Sequence, residues 1–289
     1  MTKPPYAKKR RNLNSIVREA LGARKFRRHA VAEYFNHDWS KIDGDRQAVV
    51  RRLLEITGNK AYLEIGCADN LLFDKVGAEV KVGVDPAKGG THRMTSDAFF
   101  AQNNQVFDVI FIDGLHVYDQ VRRDVINALD AVRPGGWIAM HDMFPRDWIE
   151  EHTPQISTSR WTGDPWKVAF ELIGAEGVEF RLLAIDHGVG VIRVLKESVT
   201  LPNRQVELTP QRFAWFRAHF AELPVIDWTE AQAWIASTLE KPAKPKRKPP
   251  TPRGKHAIPD KAERSQKVAS SRAKRSEAER RPGTQGPRR

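Results

Sequence analysis

The sequence has little of what marks several large classes of protein. It contains a single cysteine, Cys67, which excludes an internal disulfide framework and a zinc site built from several thiolates. It has no run of the ~20 apolar residues that a membrane-spanning helix needs. Residues 1–15 carry charge but no apolar core, so we expect no secretory signal. These features are typical of a protein of the reducing cytoplasm.

Glycine clusters that bind phosphates are also lacking. An apolar run at residues 61–65 is followed by one glycine, Gly66, where an NAD-binding turn needs the pattern G-x-G-x-x-G. The P-loop pattern is absent as well. The sequence therefore excludes NAD and P-loop nucleotides as cofactors.

Charge divides the chain into three regions. The net charge of +12 is the sum of +9 in residues 1–30, −10 in residues 31–240 and +13 in residues 241–289. We therefore expect an acidic globular domain over residues 31–240, between a basic N-terminal extension and a basic tail. The tail holds eight of the 18 prolines and few apolar residues, which predicts disorder. It is either a solvated arm or an electrostatic arm for nucleic acid, a membrane surface or an acidic partner.

The N-terminal extension differs from the tail because it contains a helical pattern. Residues 14–29 predict a basic helix with Ile16, Val17, Ala20 and Leu21 on one side. Such a helix either docks on the globular domain, frays, or lies on an anionic lipid surface.

Alternating apolar patterns over residues 44–195 predict the fold class. Short β-branched runs at 61–65, 80–85, 108–113 and 137–140 predict strands, separated by helices at 44–57, 70–77 and 118–132 and by a turn at 133–136. Residues 180–186 and 189–195 predict an antiparallel hairpin at the sheet edge, and further helices are expected at 165–174 and 209–220. The prediction is a Rossmann-like, doubly wound α/β fold with a mostly parallel sheet and a C-terminal antiparallel hairpin.

Acidic and imidazole side chains recur where the predicted strands end. In open parallel sheets, ligands bind beyond the carboxyl ends of the strands, so we expect a functional site there. The candidate residues are Glu64, Gly66, Asp85, Ser96, Asp97, Asp113, His116, His141 and Asp142.

These segments resemble the class I S-adenosylmethionine-dependent methyltransferases. Residues 62–70, YLEIGCADN, resemble the first motif of that family, with Asn70 where another glycine is usual. Residues 107–125, FDVIFIDGLHVYDQVRRDV, and 128–145, ALDAVRPGGWIAMHDMFP, resemble a subgroup of macrocin-like sugar O-methyltransferases. In that subgroup D-G-x-H-x-Y precedes a helix, a P-G-G turn and a strand that ends in H-D. The resemblance spans about residues 60–195.

The resemblance implies S-adenosylmethionine as cofactor and a role for each residue of its site. Glu64 would stabilise positive charge near the amino-acid tail, and Gly66 would let the backbone approach that tail. Asp85 would accept hydrogen bonds from the ribose hydroxyls. Ser96 and Asp97 would lie at the adenine amino group.

These residues are compatible with two alternatives for the chemistry. In the first, Asp113, His141 and Asp142 hold Mg²⁺ or Mn²⁺, which activates the acceptor hydroxyl, and His116 acts as general base. In the second, no metal binds and His116 alone removes the proton. Asp113 is the other candidate catalytic residue.

The function that we expect is methyl transfer to a hydroxyl of a small or saccharide-like acceptor. A different class of function is a nucleic-acid-binding or RNA-modifying protein that uses its basic ends. A third is a non-catalytic scaffold, which would not need the acidic strand ends.

Overall fold

A seven-stranded sheet forms the centre of residues 13–239, the part of the chain that this computed structural model describes. Its strands are β1 (Ala61–Ile65), β2 (Val80–Val84), β3 (Phe107–Ile112), β4 (Val132–Met140), β5 (Val178–Leu183), β6 (Val189–Val194) and β7 (Val225–Ile226). The order is β2-β1-β3-β4-β6-β5-β7, and β6 runs antiparallel to both of its neighbours while the other pairs are parallel. The predicted Rossmann-like, mostly parallel sheet with an antiparallel pair is confirmed.

Helices cover both faces of the sheet. They are α1 (Leu13–Lys25), α2 (Arg46–Thr57), α3 (Ser96–Phe100), α4 (Tyr118–Ala131), α5 (Trp148–Glu151), α6 (Trp166–Leu172), α7 (Gln205–Leu208), α8 (Phe213–His219) and α9 (Trp228–Ser237). Side chains of α4, α6 and α8 pack in one core cluster, and those of α2 and α9 pack in a second. Neighbouring residues of β3 alternate between the two, since Ile110 enters the first cluster and Val109 and Phe111 enter the second.

Local sequence signals set the ends of several helices. Asp45 caps α2 by accepting a hydrogen bond from the Ala48 amide at 2.8 Å, and Gly58 ends this helix with a φ of 81°. Asp227 and Glu230 form a capping box at the start of α9. The predicted helix 44–57 is therefore confirmed with a start two residues later.

The predicted helix at 70–77 is wrong, because only a single 3₁₀ turn forms there, Phe73–Lys75. Ala68 and Asn70 have φ values of 43° and 60°, and this left-handed backbone cannot start an α-helix. Asn70 thus adopts the conformation that a glycine would otherwise provide, and its Oδ1 accepts a hydrogen bond from the Gly90 amide at 2.7 Å.

Two details of the sheet also differ from the prediction. The hairpin of β5 and β6 is not the edge of the sheet, because the two-residue strand β7 pairs with the outer side of β5. Strand β4 begins before the predicted turn at 133–136. Its pairing with β3 moves from Phe107–Val132 directly to Val109–Trp137, so residues 133–136 bulge out of the ladder.

Both basic regions extend past the described residues. The predicted tail, 241–289, and residues 1–12 of the predicted extension lie outside them. Of the predicted basic helix, residues 13–25 form α1 and a 3₁₀ turn follows at Arg27–His29. Within residues 13–239, no helix combines the length and the apolar character needed to cross a bilayer.

Candidate active site

The carboxyl ends of β3 and β4 bring four of the predicted residues into one cluster. Asp113 follows β3, and His141 and Asp142 follow β4. The His116 ring lies between the two carboxylates, with Nε2 3.3 Å from Asp113 Oδ1 and Nδ1 3.1 Å from Asp142 Oδ2. His141 Nδ1 approaches the same two oxygens, at 3.1 Å and 3.4 Å. Both imidazoles therefore face the same pair of carboxylates.

Charge within this cluster outweighs the effect of burial on its titratable groups. Burial alone would lower the pKa of His116, but the carboxylates of Asp142 and Asp113 raise it above its usual value. Burial likewise opposes the charged form of His141, yet Asp142 and Asp113 raise its pKa well above the usual range. Burial would raise the pKa values of Asp113 and Asp142, but the neighbouring His141 and His116 lower them. The cluster thus keeps its carboxylates ionised and favours the protonated form of both imidazoles.

Asp186 contacts Nε2 of His141, on the opposite side of the ring from Asp113 and Asp142. The sequence pattern did not predict Asp186 as a site residue. His141 Nε2 lies 2.9 Å from the Asp186 carbonyl oxygen and 3.2 Å from its Oδ1. Arg46 binds the same carboxylate, with its amide 2.9 Å from Oδ2 and its guanidinium 3.3 Å from Oδ1. Because β6 lies between β4 and β5 and is antiparallel to both, β5 runs in the same direction as β4, and Asp186 follows its carboxyl end.

The donor set of Asp113, His141 and Asp142 fits a small divalent cation. Their ligand atoms all lie within 4.8 Å of one another. The 3.1 Å and 3.4 Å separations from His141 Nδ1 approach the ~3 Å between neighbouring ligands of an octahedral ion with bonds of ~2.1 Å. His141 also has the outer hydrogen bond, to Asp186, that usually orients a metal-binding imidazole.

A cleft of about 320 Å³ opens beside the cluster, at the carboxyl ends of β1 and β3. Glu64 and Gly66 line this first cleft together with Asp113, His116 and Asp142. Glu64 is almost fully buried and accepts a hydrogen bond from the Tyr62 hydroxyl at 2.6 Å. Burial raises the pKa of Glu64 to about 7.

The backbone conformation and the close approach of a neighbouring strand end require glycine at position 66. Its φ is 87°, and a Cβ there would lie 2.2 Å from the carbonyl oxygen of Asp113. A side chain at this position would push the end of β1 away from the end of β3. The glycine thus keeps these two strand ends together, in addition to the proposed approach to the cofactor tail.

Asp85, Ser96 and Asp97 do not line the first cleft. The Asp85 carboxylate accepts hydrogen bonds from the amides of Ala68, Ala87 and Lys88 at 2.8–2.9 Å. Burial would raise the pKa of Asp85, but these backbone hydrogen bonds lower it. Asp85 therefore ties the loop after β1 to the loop after β2.

Ser96 and Asp97 form the first turn of α3, which packs against α4. Gln120 of α4 donates to Ser96 Oγ at 3.1 Å and to Asp97 Oδ1 at 3.2 Å. The proposed contacts of these residues and of Asp85 with a cofactor stay predictions.

A second cleft, of about 500 Å³, adjoins the first at Arg46, His141 and Asp142. Its remaining lining comes from His187 and from the loop between α5 and α6. Those loop residues are Gln155, Thr158, Ser159, Arg160, Trp161 and Thr162. The lining combines hydroxyl, amide and charged groups with one indole.

The same loop fixes the position of His116. The indole of Trp161 stacks on the His116 ring, with centroids 5.4 Å apart. Gly163 has a φ of 67°, and a Cβ there would lie 1.9 Å from the His116 carbonyl oxygen. Asp164 accepts a hydrogen bond from the Tyr118 amide at 2.8 Å, which satisfies the start of α4. The loop thus contacts the His116 segment through its ring and its backbone.

Comparison with known proteins gives one family match. Residues 27–143 match the family model described as "Methyltransferase domain". This region contains Glu64, Asp113, His116, His141 and Asp142. No curated protein matches the chain significantly.

Solved methyltransferase structures show weak similarity to this chain. MycE methyltransferase from the mycinamycin biosynthetic pathway, in complex with Mg, SAH and mycinamycin VI, is 17% identical with a TM-score of 0.37. The match covers 51% of this chain and 48% of MycE, so the chain spans about half the length of that protein. Podospora anserina methyltransferase PaMTH1, bound to SAH, is 15% identical over 64% of this chain and 89% of its own, with a TM-score of 0.40. The Bacillus cereus O-methyltransferase in complex with SAH is 15% identical over 66% and 94%, with a TM-score of 0.38.

Proposed function

We propose that this protein is an S-adenosylmethionine-dependent methyltransferase that acts on a hydroxyl of a small or saccharide-like acceptor. The observation that carries the proposal is the cluster of Asp113, His116, His141 and Asp142 at the junction of two clefts. The strand order and the methyltransferase family match over residues 27–143 support it. We assign the first cleft to the cofactor and the second to the acceptor.

The first cleft suits a ligand with positive charge. S-adenosylmethionine supplies a methyl group on a sulfonium and carries an ammonium in its tail. Glu64, Asp113 and Asp142 present carboxyl groups to the cleft beside one guanidinium, that of Arg46, and these carboxyl groups would stabilise both charges. We keep the assignment of Asp85 to the ribose hydroxyls and of Ser96 and Asp97 to the adenine amino group. Since none of the three lines the first cleft, the cleft would hold the amino-acid tail and the sulfonium, and the nucleoside would extend beyond it.

His116 is the base in this proposal. It lines the first cleft and stacks on Trp161, which lines the second, so it lies where donor and acceptor would meet. Asp142 and Asp113 raise its pKa and make the ring a better proton acceptor. A ring nitrogen of His116 would take the proton of the acceptor hydroxyl as the methyl group is transferred.

Asp113, His141 and Asp142 would hold Mg²⁺ or Mn²⁺. A divalent cation held there would lower the pKa of an acceptor hydroxyl. Asp186 would keep His141 Nδ1 directed toward the two carboxylates through its contacts with Nε2.

The second cleft supports a hydroxylated acceptor. Thr158, Ser159, Thr162 and Gln155 offer hydrogen-bonding groups, and Trp161 offers one flat apolar face. Hydrogen-bond donors and acceptors around a single aromatic ring match the alternating polar and apolar surfaces of a sugar. The nucleic-acid alternative depends mainly on residues 241–289, and no contact of residues 13–239 favours it.

The test is calorimetry with S-adenosylmethionine and S-adenosylhomocysteine on the full chain, followed by methyl-transfer assays with isotopically labelled cofactor and a panel of hydroxylated acceptors. We expect cofactor binding, and label transfer to at least one sugar-containing acceptor. Folded protein that binds neither cofactor form would overturn the methyltransferase assignment. Cofactor binding with transfer only to a non-hydroxyl acceptor would overturn the acceptor class alone.

A further inference from the structure

Helix α1 contacts the rest of the protein through its small and polar side. Glu19 Oε1 lies 3.3 Å from a guanidinium nitrogen of Arg160. Gly22 approaches Ile156 so closely that a Cβ would lie 3.0 Å from its Cγ2. These two residues are three positions apart in α1 and therefore share one side of the helix.

The opposite side of α1 is apolar and exposed. Leu13, Ile16, Val17 and Leu21 repeat at intervals of three and four residues, and their exposed fractions are 75%, 45%, 48% and 63%. No residue of α1 is buried against another described part of the chain. An amphipathic helix normally packs its apolar side on the core, so this orientation is reversed.

Positive charge accompanies the exposed apolar side. Arg18, Arg24 and Lys25 lie in α1 and are exposed, and Arg27 and Arg28 follow it. Residues 1–30 have a net charge of +9, whereas residues 31–240 have −10. An anionic surface would therefore attract this segment and repel the domain that carries it.

We propose that the apolar side of α1 enters the surface of an anionic lipid bilayer and docks the protein there. An exposed apolar stripe flanked by Lys and Arg is the pattern of helices that lie in the plane of the bilayer interface. Lipid acyl chains would cover the four apolar side chains, and anionic headgroups would pair with the basic ones.

The two ends of the chain contain too few apolar residues to cover the apolar side of α1. Residues 1–12 contain five Lys or Arg and no Leu, Ile, Val or Phe. Residues 240–289 contain one Ile, one Val and a large excess of positive charge. Neither segment offers enough apolar surface to cover the stripe, and both would be repelled by the basic residues beside it.

The docking helix lies next to the proposed acceptor cleft. Leu13, Val17 and Arg18 share a surface hollow with Thr158, and Thr158 also lines the second cleft. Docking through α1 would therefore hold the side of the protein that carries the second cleft against the bilayer.

A sedimentation assay with vesicles tests the proposal on the full chain. The vesicles are phosphatidylglycerol and phosphatidylcholine in one series and phosphatidylcholine alone in the other. The variant Leu13→Gln/Ile16→Gln/Leu21→Gln removes three of the four apolar side chains and keeps every charge, so binding through the basic ends alone is unaffected. The matched control Val80→Gln/Val106→Gln/Val206→Gln changes three exposed apolar residues elsewhere.

We expect the wild type and the control to bind the anionic vesicles equally, and the α1 variant to bind at least about tenfold more weakly. Equal binding of all three proteins would show attraction through charge alone and would overturn the proposal. Self-association of the wild type that the α1 variant loses, without vesicle binding, would assign the stripe to a second copy of the chain and overturn it too.

A fluorescence measurement reports the insertion of α1 separately from the affinity of the protein for vesicles. An environment-sensitive dye on Leu21→Cys, in a Cys67→Ala background, should shift to the blue when anionic vesicles are added. The same dye on Val206→Cys should not shift. An unchanged emission from position 21 on vesicle-bound protein would contradict insertion of α1.

Discussion

The imidazole of His116 stacks on the indole of Trp161, with ring centroids 5.4 Å apart and ring planes inclined by 27°. Trp161 is in turn fixed by a hydrogen bond of 3.0 Å from its Nε1 to the carbonyl oxygen of His152. The His152 ring contacts His29 at 2.9 Å. The orientation of the proposed base thus depends on a loop that also contacts the segment after α1.

Trp161→Ala should lower the turnover number by about tenfold, because the base loses the surface that orients its ring. Trp161→Phe keeps a flat face and should retain most of the turnover. Cofactor affinity, measured by calorimetry, should stay unchanged in both variants because Trp161 does not line the first cleft. An equal loss in the Phe and Ala variants would contradict a stacking role.

His116→Ala should lower turnover by about 10²–10⁴ with little change in cofactor affinity, since proton removal matters only in the transition state. The wild type should gain activity as pH rises, because His116 must lose its proton to act as base. The neighbouring carboxylates raise the pKa of His116 above the usual value for histidine, so the gain should come above that value. This limb of the pH–rate profile should disappear in the variant. A variant that keeps the limb would assign it to another group.

Chelation should abolish turnover if a cation activates the acceptor, and Mg²⁺ or Mn²⁺ should restore it. Asp142 has a φ of 57°, a conformation that Asn tolerates, so Asp142→Asn should fold normally and mimic the chelated enzyme. Calorimetry with Mn²⁺ reports binding separately from turnover. Full activity of His116→Ala/Asp142→Asn in the presence of chelator would place the chemistry elsewhere.

Binding of S-adenosylhomocysteine should strengthen as pH rises through about 7, the pKa to which burial raises Glu64. Below that pH the carboxyl is neutral and attracts the ligand ammonium less; above it the carboxylate is charged and attracts it more. Titration calorimetry at pH 6, 7 and 8 measures the trend. Glu64→Gln should flatten it, while Glu55→Gln, on the exposed side of α2, should not.

Glu151 should make the stability of the protein depend on pH. Its side chain is buried, with Oε1 unpartnered among the described residues, and burial raises its pKa from 4.5 to about 8, assisted by Asp164. Between these values the folded state keeps a proton that the unfolded state releases, so the free energy of unfolding falls as pH rises.

Glu151→Gln removes the titrating group and should flatten this fall, by on the order of 2–4 kcal/mol at pH 8 and above. Urea unfolding of both proteins at pH 5, 7 and 9 measures it. Parallel pH dependences of the wild type and the variant would show that Glu151 does not titrate in this range.

The sequence determined those features that depend on residues near one another in the chain. The runs at 61–65 and 108–113 form β1 and β3 because β-branched and aromatic residues suit a strand buried on both faces. Asp113 and Asp142 come together because both follow parallel strands, whose carboxyl ends share an edge. Asp113 and His116 are close together in one loop, so the sequence alone predicts that they are neighbours.

The tertiary structure decided the features that depend on which strands are neighbours. Asp186 contacts His141 only because the chain inserts β6 between β4 and β5, which turns the end of β5 toward the same edge. The failed helix at 70–77 follows from the left-handed backbone at Ala68 and Asn70, which apolar spacing does not encode. The outward apolar side of α1 follows from the contacts of Glu19 and Gly22. Periodicity identifies the two sides of a helix, but only the surface on which it packs selects the side that faces solvent.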